Sequence, residues 1–182
     1  MEVNRFYHVY NRGNNSEKLF YNDDNYLFFL KRFKHYLSDY INVHAYCLMP
    51  NHFHFLISIK DDCKENKGVN VEKETDKGFN NFFISYAKAI NKRYGRTGSL
   101  FQNSYKKKEI ITEDYLVNLT LYIHQNPVVA NLANHCDDWK YSSYEAYMGK
   151  RRTLLNKDYI LNLFGTIENF IFVHERNVID KI

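Results

Sequence analysis

The chain has 182 residues, 45% apolar and 17% aromatic, with a formal charge of +4, which suits one well-cored domain with a polyanionic partner rather than a disordered chain or two domains. No apolar run reaches membrane-spanning length and Met1-Glu2-Val3-Asn4 has no secretory character, so no membrane role is expected. Cys47, Cys63 and Cys136 fit neither a disulfide scaffold nor a zinc ribbon, and a cytoplasmic, nucleoid-associated protein with reduced thiols is expected.

Arg5 to Asn11 reads as a strand, ending in the loop Asn11-Arg12-Gly13-Asn14-Asn15. Asn11, Arg12 and Asn14 offer amide and guanidinium groups to unstacked bases and phosphates. Asp23 to Tyr40 is helical, with Tyr26, Leu27, Leu30, Phe33, Tyr36 and Leu37 on its apolar face. Asn42 to Leu48 and His52 to Ile59 are strands, and Pro50-Asn51 turns one into the other as a hairpin. Lys60 to Lys77 is charged and poor in large apolar residues, and reads as a mobile insert. Phe79 to Tyr94 returns to helical spacing with Phe82, Phe83, Tyr86, Ala89 and Ile90 inward, and Gly95 to Gly98 is a turn. A fourth strand lies within Gln102 to Ile111 and carries Lys106, Lys107 and Lys108, candidates for phosphate contacts. Glu113 to Asn126 is a helix capped by Thr112 and expected to stop before Pro127.

The order βαββαβ followed by helices predicts an α+β fold. The expected core is a ferredoxin-like (split βαβ) antiparallel sheet with helices on one face. The tyrosine-bearing helix from Glu113 and a helical C-terminal extension follow it. Residues 1–150 are expected to form one domain, with 151–182 packed on it as the extension. The opposite sheet face is expected to stay open, because the histidines of the third strand occupy it.

Those histidines are His52 and His54. Side chains alternate along a strand, so the two imidazoles share one face while Phe53, Phe55 and Ile57 take the other. Such a pair can hold a divalent metal and leave positions open for a substrate oxygen; it also occurs on ordinary solvated sheet faces. Tyr122 and Asn126, four apart, share a helix face and could supply a nucleophile and a third ligand. Gln125 is the rival to Asn126. His124 should point away from Tyr122, as a surface histidine, and His44 and Cys47 read as structural.

Pro50-Asn51-His52-Phe53-His54-Phe55 resembles the histidine-hydrophobic-histidine (HUH) signature of single-tyrosine transposases. Tyr122-Ile123-His124-Gln125-Asn126-Pro127-Val128-Val129-Ala130 is similar to the tyrosine helix of that family. Tyr7 to Asn14 matches its first strand and loop. Gly95-Arg96-Thr97-Gly98-Ser99-Leu100-Phe101-Gln102 and Trp139-Lys140-Tyr141-Ser142-Ser143-Tyr144 fit the branch of REP-associated tyrosine transposases, with Tyr141 where a tryptophan is usual.

The resemblance implies that Tyr122 attacks single-stranded DNA near a hairpin and becomes a 5′-phosphotyrosine. It also implies that His52, His54 and Asn126 bind Mg²⁺ or Mn²⁺. A free phenol titrates at about pH 10, so the attack needs a metal or a base. A metal-dependent nuclease without a covalent tyrosine and a binding-only hairpin-DNA protein are the alternatives. The tail from Leu154 to Ile182 carries an apolar set (Leu154, Leu155, Ile160, Leu161, Leu163, Phe164, Ile167, Phe170, Ile171 and Phe172) that must be buried somewhere. It could cover the surface that shorter relatives use to dimerise, which favours a monomer over a homodimer.

Overall fold

The computed structural model describes residues 1–61, 70–149, 153 and 155–176. In chain order these form β1 (Phe6–Arg12), α1 (Asp23–Leu37), β2 (Ile41–Met49), β3 (His52–Ile59), α2 (Val71–Tyr94), β4 (Lys106–Ile110), α3 (Glu113–Val129), α4 (Tyr144–Met148), α5 (Asp158–Phe164) and α6 (Ile167–Arg176). The strands make one antiparallel sheet in the order β2-β3-β1-β4, the split βαβ arrangement expected from the sequence.

Local chemistry sets the helix ends. The Asn22 side chain caps α1 by accepting from Asn25 N–H, and Asp23 and Asp24 follow in the first turn. The helix ends at Leu37, three residues before the expected Tyr40. Its inward face carries Phe29 in place of Leu27, which is exposed.

Helix α2 is longer than its sequence suggested. Asn70 caps it, and Val71 to Lys77, read as part of a mobile insert, form its first turns. Thr75 is buried and bonds back to the Val71 carbonyl. A Cβ on Gly78 would lie 2.9 Å from the Tyr36 carbonyl oxygen, so α1 and α2 touch backbone to backbone there. Thr75 and Gly78 belong to the buried face without carrying an apolar signal. Residues 62–69 of the expected insert, with Cys63, lie outside the described residues.

Alternation along the strands divides the interior in two. Val9, Phe53, Phe55 and Ile57 pack with Phe29, Phe33, Phe79, Phe82 and Tyr86 of α1 and α2. The other face is not open. Helix α3 lies against it, and Ala45, Cys47, Met49 and Leu56 share a second core with Leu116, Leu119, Ile123, Tyr144, Ile160, Phe164 and Phe170. The apolar residues of α5 and α6 thus bury against α3, although Phe172 stays half-exposed; Leu154 is outside the described residues.

Strand β2 is an edge, and the Trp139–Tyr144 segment covers it. Leu48 N–H donates to the Tyr141 carbonyl, Ser143 N–H to the Tyr46 carbonyl and Trp139 Nε1–H to the Leu48 carbonyl. Asn156 N–H bonds the Val43 carbonyl further along. Pairing an edge strand in this way removes a site for aggregation.

Candidate active site

The turn that presents His52 is clasped from one side. Gly13 N–H donates to the Asn51 carbonyl at 2.8 Å, and the Leu19 and Phe20 amides both donate to the Pro50 carbonyl. A Cβ on Gly13 would sit 2.1 Å from the Glu17 carbonyl oxygen, so only glycine fits this loop. The Gly95–Gln102 segment holds the same loop from outside. Asn14 N–H donates to the Leu100 carbonyl and Gln102 N–H to the Arg12 carbonyl. Gly95 supplies the left-handed cap that turns the chain out of α2 (φ 61°).

His52 and His54 lie side by side with ring centroids 5.2 Å apart. Asn51 Nδ2 donates to the Ser16 carbonyl, so the Asn51 oxygen is the atom that faces His52 Nδ1, at 2.7 Å. An amide oxygen only accepts, which places the His52 proton on Nδ1 and a lone pair on Nε2. That lone pair faces Asn126 Oδ1 at 3.4 Å. Asn126 Nδ2 donates to the Tyr122 carbonyl, so its oxygen too is turned inward. Two lone pairs face each other here, an arrangement that repels by itself and attracts a cation.

Burial, aided by the Arg12 guanidinium, lowers the His52 pKa and outweighs the opposing pull of Asn126. His54 is held well below the ordinary range, first by burial, then by His8, His52 and Arg12. Both rings are therefore neutral near pH 7, the form that binds metals.

Tyr122 of α3 stands edge-on to His54, with ring centroids 5.2 Å apart. One chain thus brings His52, His54, Tyr122 and Asn126 together. Gln125 is turned away and donates to the His174 carbonyl on α6. Helix α3 does not stop at Asn126. It runs to Val129 through Pro127, and the Ala130 and Leu132 amides close its end on the Asn126 and Pro127 carbonyls. Pro127 has no N–H to give the Ile123 carbonyl, so the helix continues past it without that hydrogen bond.

His124 is a core residue, not the expected surface histidine. His174 Nδ1–H donates to the Phe170 carbonyl, which leaves His174 Nε2 to accept from His124 Nδ1–H at 3.0 Å. His124 Nε2 then accepts from the Ser143 hydroxyl at 2.7 Å. His44 is likewise satisfied, between the Asn156 carbonyl and Ser58, and Cys47 is fully buried. Both occupy structural positions, as the sequence suggested.

The candidate DNA contacts divide by sheet face. Lys106 and Lys108 pair with Tyr10 and His8 and lie on the histidine face. Lys106 Nζ sits 5.9 Å from the Tyr10 ring centroid, and Lys108 Nζ donates to the Tyr115 hydroxyl. Lys107 takes the opposite face and pairs with Asp76 of α2 at 2.9 Å. Arg12, opposite His52, is exposed on the site face. Asn11 is buried instead, bonding the Asn103 carbonyl and the Arg12 amide. Asn14 is half-buried in the clasping loop. Register decides these placements.

His8 escaped the sequence argument. It is buried on β1, and its Nε2 lies 2.9 Å from His54 Nδ1. Burial and the Lys108 charge hold its pKa down at about 4. The available signal was the alternation His8, Tyr10, Arg12 along β1, which shares a face with His52 and His54 once β1 pairs with β3.

Among the described residues, no group of three or more His, Cys, Asp and Glu side chains forms a metal cluster, and no helix is long and apolar enough to cross a membrane. A family model described as "Transposase IS200 like" matches residues 3–126, ending on Asn126. No curated protein matches the chain. A solved structure of a REP-associated tyrosine transposase bound to a REP hairpin is similar over 87% of this chain and 91% of that one, with a TM-score of 0.58 and 15% identity, a likeness of fold.

Proposed function

The chain belongs to the IS200-like transposase family, and from that premise we propose that it cleaves and rejoins single-stranded DNA beside a hairpin, with Tyr122 as nucleophile. The observation that carries this reading is the meeting of Tyr122 with His52, His54 and the inward oxygen of Asn126 in one chain. The Tyr122 phenolate attacks the scissile phosphorus, a P–O bond to tyrosine forms, and the 3′ oxygen leaves and takes up a proton. The 5′-phosphotyrosine conserves the ester energy, so a free 3′-OH can reverse the step on another strand.

The donor set fits a divalent ion, Mg²⁺ or Mn²⁺, held by His52, His54 and Asn126. When bound, it would neutralise charge developing on the phosphate. Imidazole donors suit Mn²⁺ better than Mg²⁺ on softness alone. Arg12, Lys106 and Lys108 surround the site on its open side, where they can hold phosphates, with Asn14 in the adjoining loop. Lys107 and Asn11 are engaged elsewhere and fall out of the proposed contact set.

The hairpin substrate is part of the proposal and is supported by the fold relative, which is bound to a REP hairpin. The proposed active unit is a monomer acting on DNA in the cytoplasm, since α5 and α6 occupy the outer side of the same α3 that carries Tyr122.

The test is incubation with labelled single-stranded hairpin DNA and Mn²⁺, a denaturing gel, and mass spectrometry of the adduct. A 5′ phosphate on Tyr122 is expected. Metal-dependent cleavage retained by Tyr122→Phe would favour a nuclease without a covalent step. Hairpin binding without any cleavage would favour the binding-only alternative.

A further inference from the structure

We propose that His8 is the positioning residue for His54: it accepts a hydrogen bond from His54 Nδ1–H and so leaves His54 Nε2 as the nitrogen open to a divalent cation. The inference rests on the metal site proposed above and adds to it a residue outside the HUH signature.

The geometry of β1 carries it. His8 lies opposite Leu56 and Tyr10 opposite His54, all on the site face. The His8 ring lies nearly parallel to both neighbours, 4.5 Å from Tyr10 and 5.1 Å from His54 between centroids, with interplanar angles of 28° and 26°. Its Nε2 is 2.9 Å from His54 Nδ1. Both rings are buried, so water is a poor substitute partner.

Two ring nitrogens at this distance share one proton, and two arrangements exist. If His8 donates, His54 carries its own proton on Nε2 and has no lone pair for a ligand. If His54 donates from Nδ1, its Nε2 is free and His8 holds a proton on Nδ1. Only the second leaves His54 able to bind a cation.

It also repeats what the neighbouring histidine does. His52 gives its Nδ1 proton to the Asn51 oxygen and presents Nε2. Asn51 and His8 would then play one role for the two members of the pair, from a turn and from a strand. Metal-binding imidazoles generally donate their second N–H to a fixed acceptor, which sets both tautomer and ring orientation.

The test uses the full chain without DNA and compares His8→Gln, whose amide oxygen can accept, with His8→Leu, which cannot. Manganese affinity is read by calorimetry, the His54 tautomer by ¹⁵N chemical shifts, and folding by circular dichroism. His8→Leu should weaken Mn²⁺ binding about 10- to 100-fold and His8→Gln by no more than about threefold. In the unsubstituted protein the His54 proton should sit on Nδ1. Manganese affinity unchanged in His8→Leu, or a His54 proton on Nε2 in the unsubstituted protein, overturns the role given to His8. If His8→Leu does not fold, the tautomer in the unsubstituted chain decides. Failure of the unsubstituted chain to bind Mn²⁺ is a different result and removes the metal site itself.

Discussion

The two faces of one sheet hold unlike interiors. Against α1 and α2 the core is aromatic and interlocked, with Phe33 stacked on Phe55 at 4.2 Å and Phe29 edge-on to Phe82 at 4.8 Å. On the face that α3 covers are the five buried histidines, His8, His44, His54, His124 and His174, among serines, Gln125, aliphatic side chains and the rings of Tyr144, Tyr147, Phe164 and Phe170. Period-two alternation lets the same strands serve both. The aromatic face can hold the fold through apolar burial alone. The histidine face has to partner the polar atoms it buries: His44, His124 and His174 do so through directed pairs that depend on neutral rings, whereas His52 Nε2 and Asn126 Oδ1 are left facing each other at the candidate site.

The sharpest break between the faces is in activity. Tyr122→Phe should abolish adduct formation, by at least about a thousandfold in cleavage, if it supplies the nucleophile. The hydroxyl makes no contribution to the α1–α2 core, so the melting temperature should hold. A variant with a collapsed melting temperature would place Tyr122 in the fold rather than in the chemistry.

Phe29→Ala should do the reverse. This fully buried ring touches Phe20, Phe53, Phe82 and Tyr86. Its loss should cost about 3–5 kcal/mol in chemical denaturation. A cost below about 1 kcal/mol would mean that this face repacks freely and does not hold the fold.

Acid should find the histidine face. Burial holds His44 and His174 at about 4 and His124 well below the usual histidine value. In the unfolded chain each titrates near about 6.5, so between those limits the unfolded state binds more protons. The stability they contribute is full above about pH 6.5 and is lost as pH falls toward about 4. The urea midpoint, followed by Trp139 fluorescence, should be level above neutrality and decline through that window. A midpoint that rises on acidification would contradict the neutral Ser143–His124–His174 chain.

The smallest effect separates the lysines. Lys106→Ala and Lys108→Ala should each weaken hairpin binding and lower the salt slope by about 1. Lys107→Ala should leave binding alone and cost about 0–1 kcal/mol of stability, since its pair with Asp76 is half-exposed. Equal losses in binding for all three would show that DNA reaches both faces of β4.

These contrasts also mark what a sequence can carry. The strand from His52 to Ile59, the cap at Thr112 and the Pro50-Asn51 turn are written in local chemistry and stand where expected. The partnership of His8 with His54 is not local, because it exists only after β1 and β3 pair. Lys106, Lys107 and Lys108 read as one basic run until the register divides them between faces. His124 looked like a surface residue because its partner, His174, arrives on α6 at the far end of the chain. The first turns of α2 were hidden because buried Thr75 and Gly78 resemble loop residues.

One measurement bears directly on the claim that a single chain assembles the site. His52→Ala and Tyr122→Phe are each purified, then mixed in equal amounts with hairpin DNA and Mn²⁺ beside the unsubstituted protein. A site built in cis yields cleavage by the unsubstituted protein and none in the mixture, with a monomer mass in light scattering. Recovery of cleavage in the mixture, with a dimer mass, would mean that the tyrosine of one chain serves the histidines of another and would contradict the account.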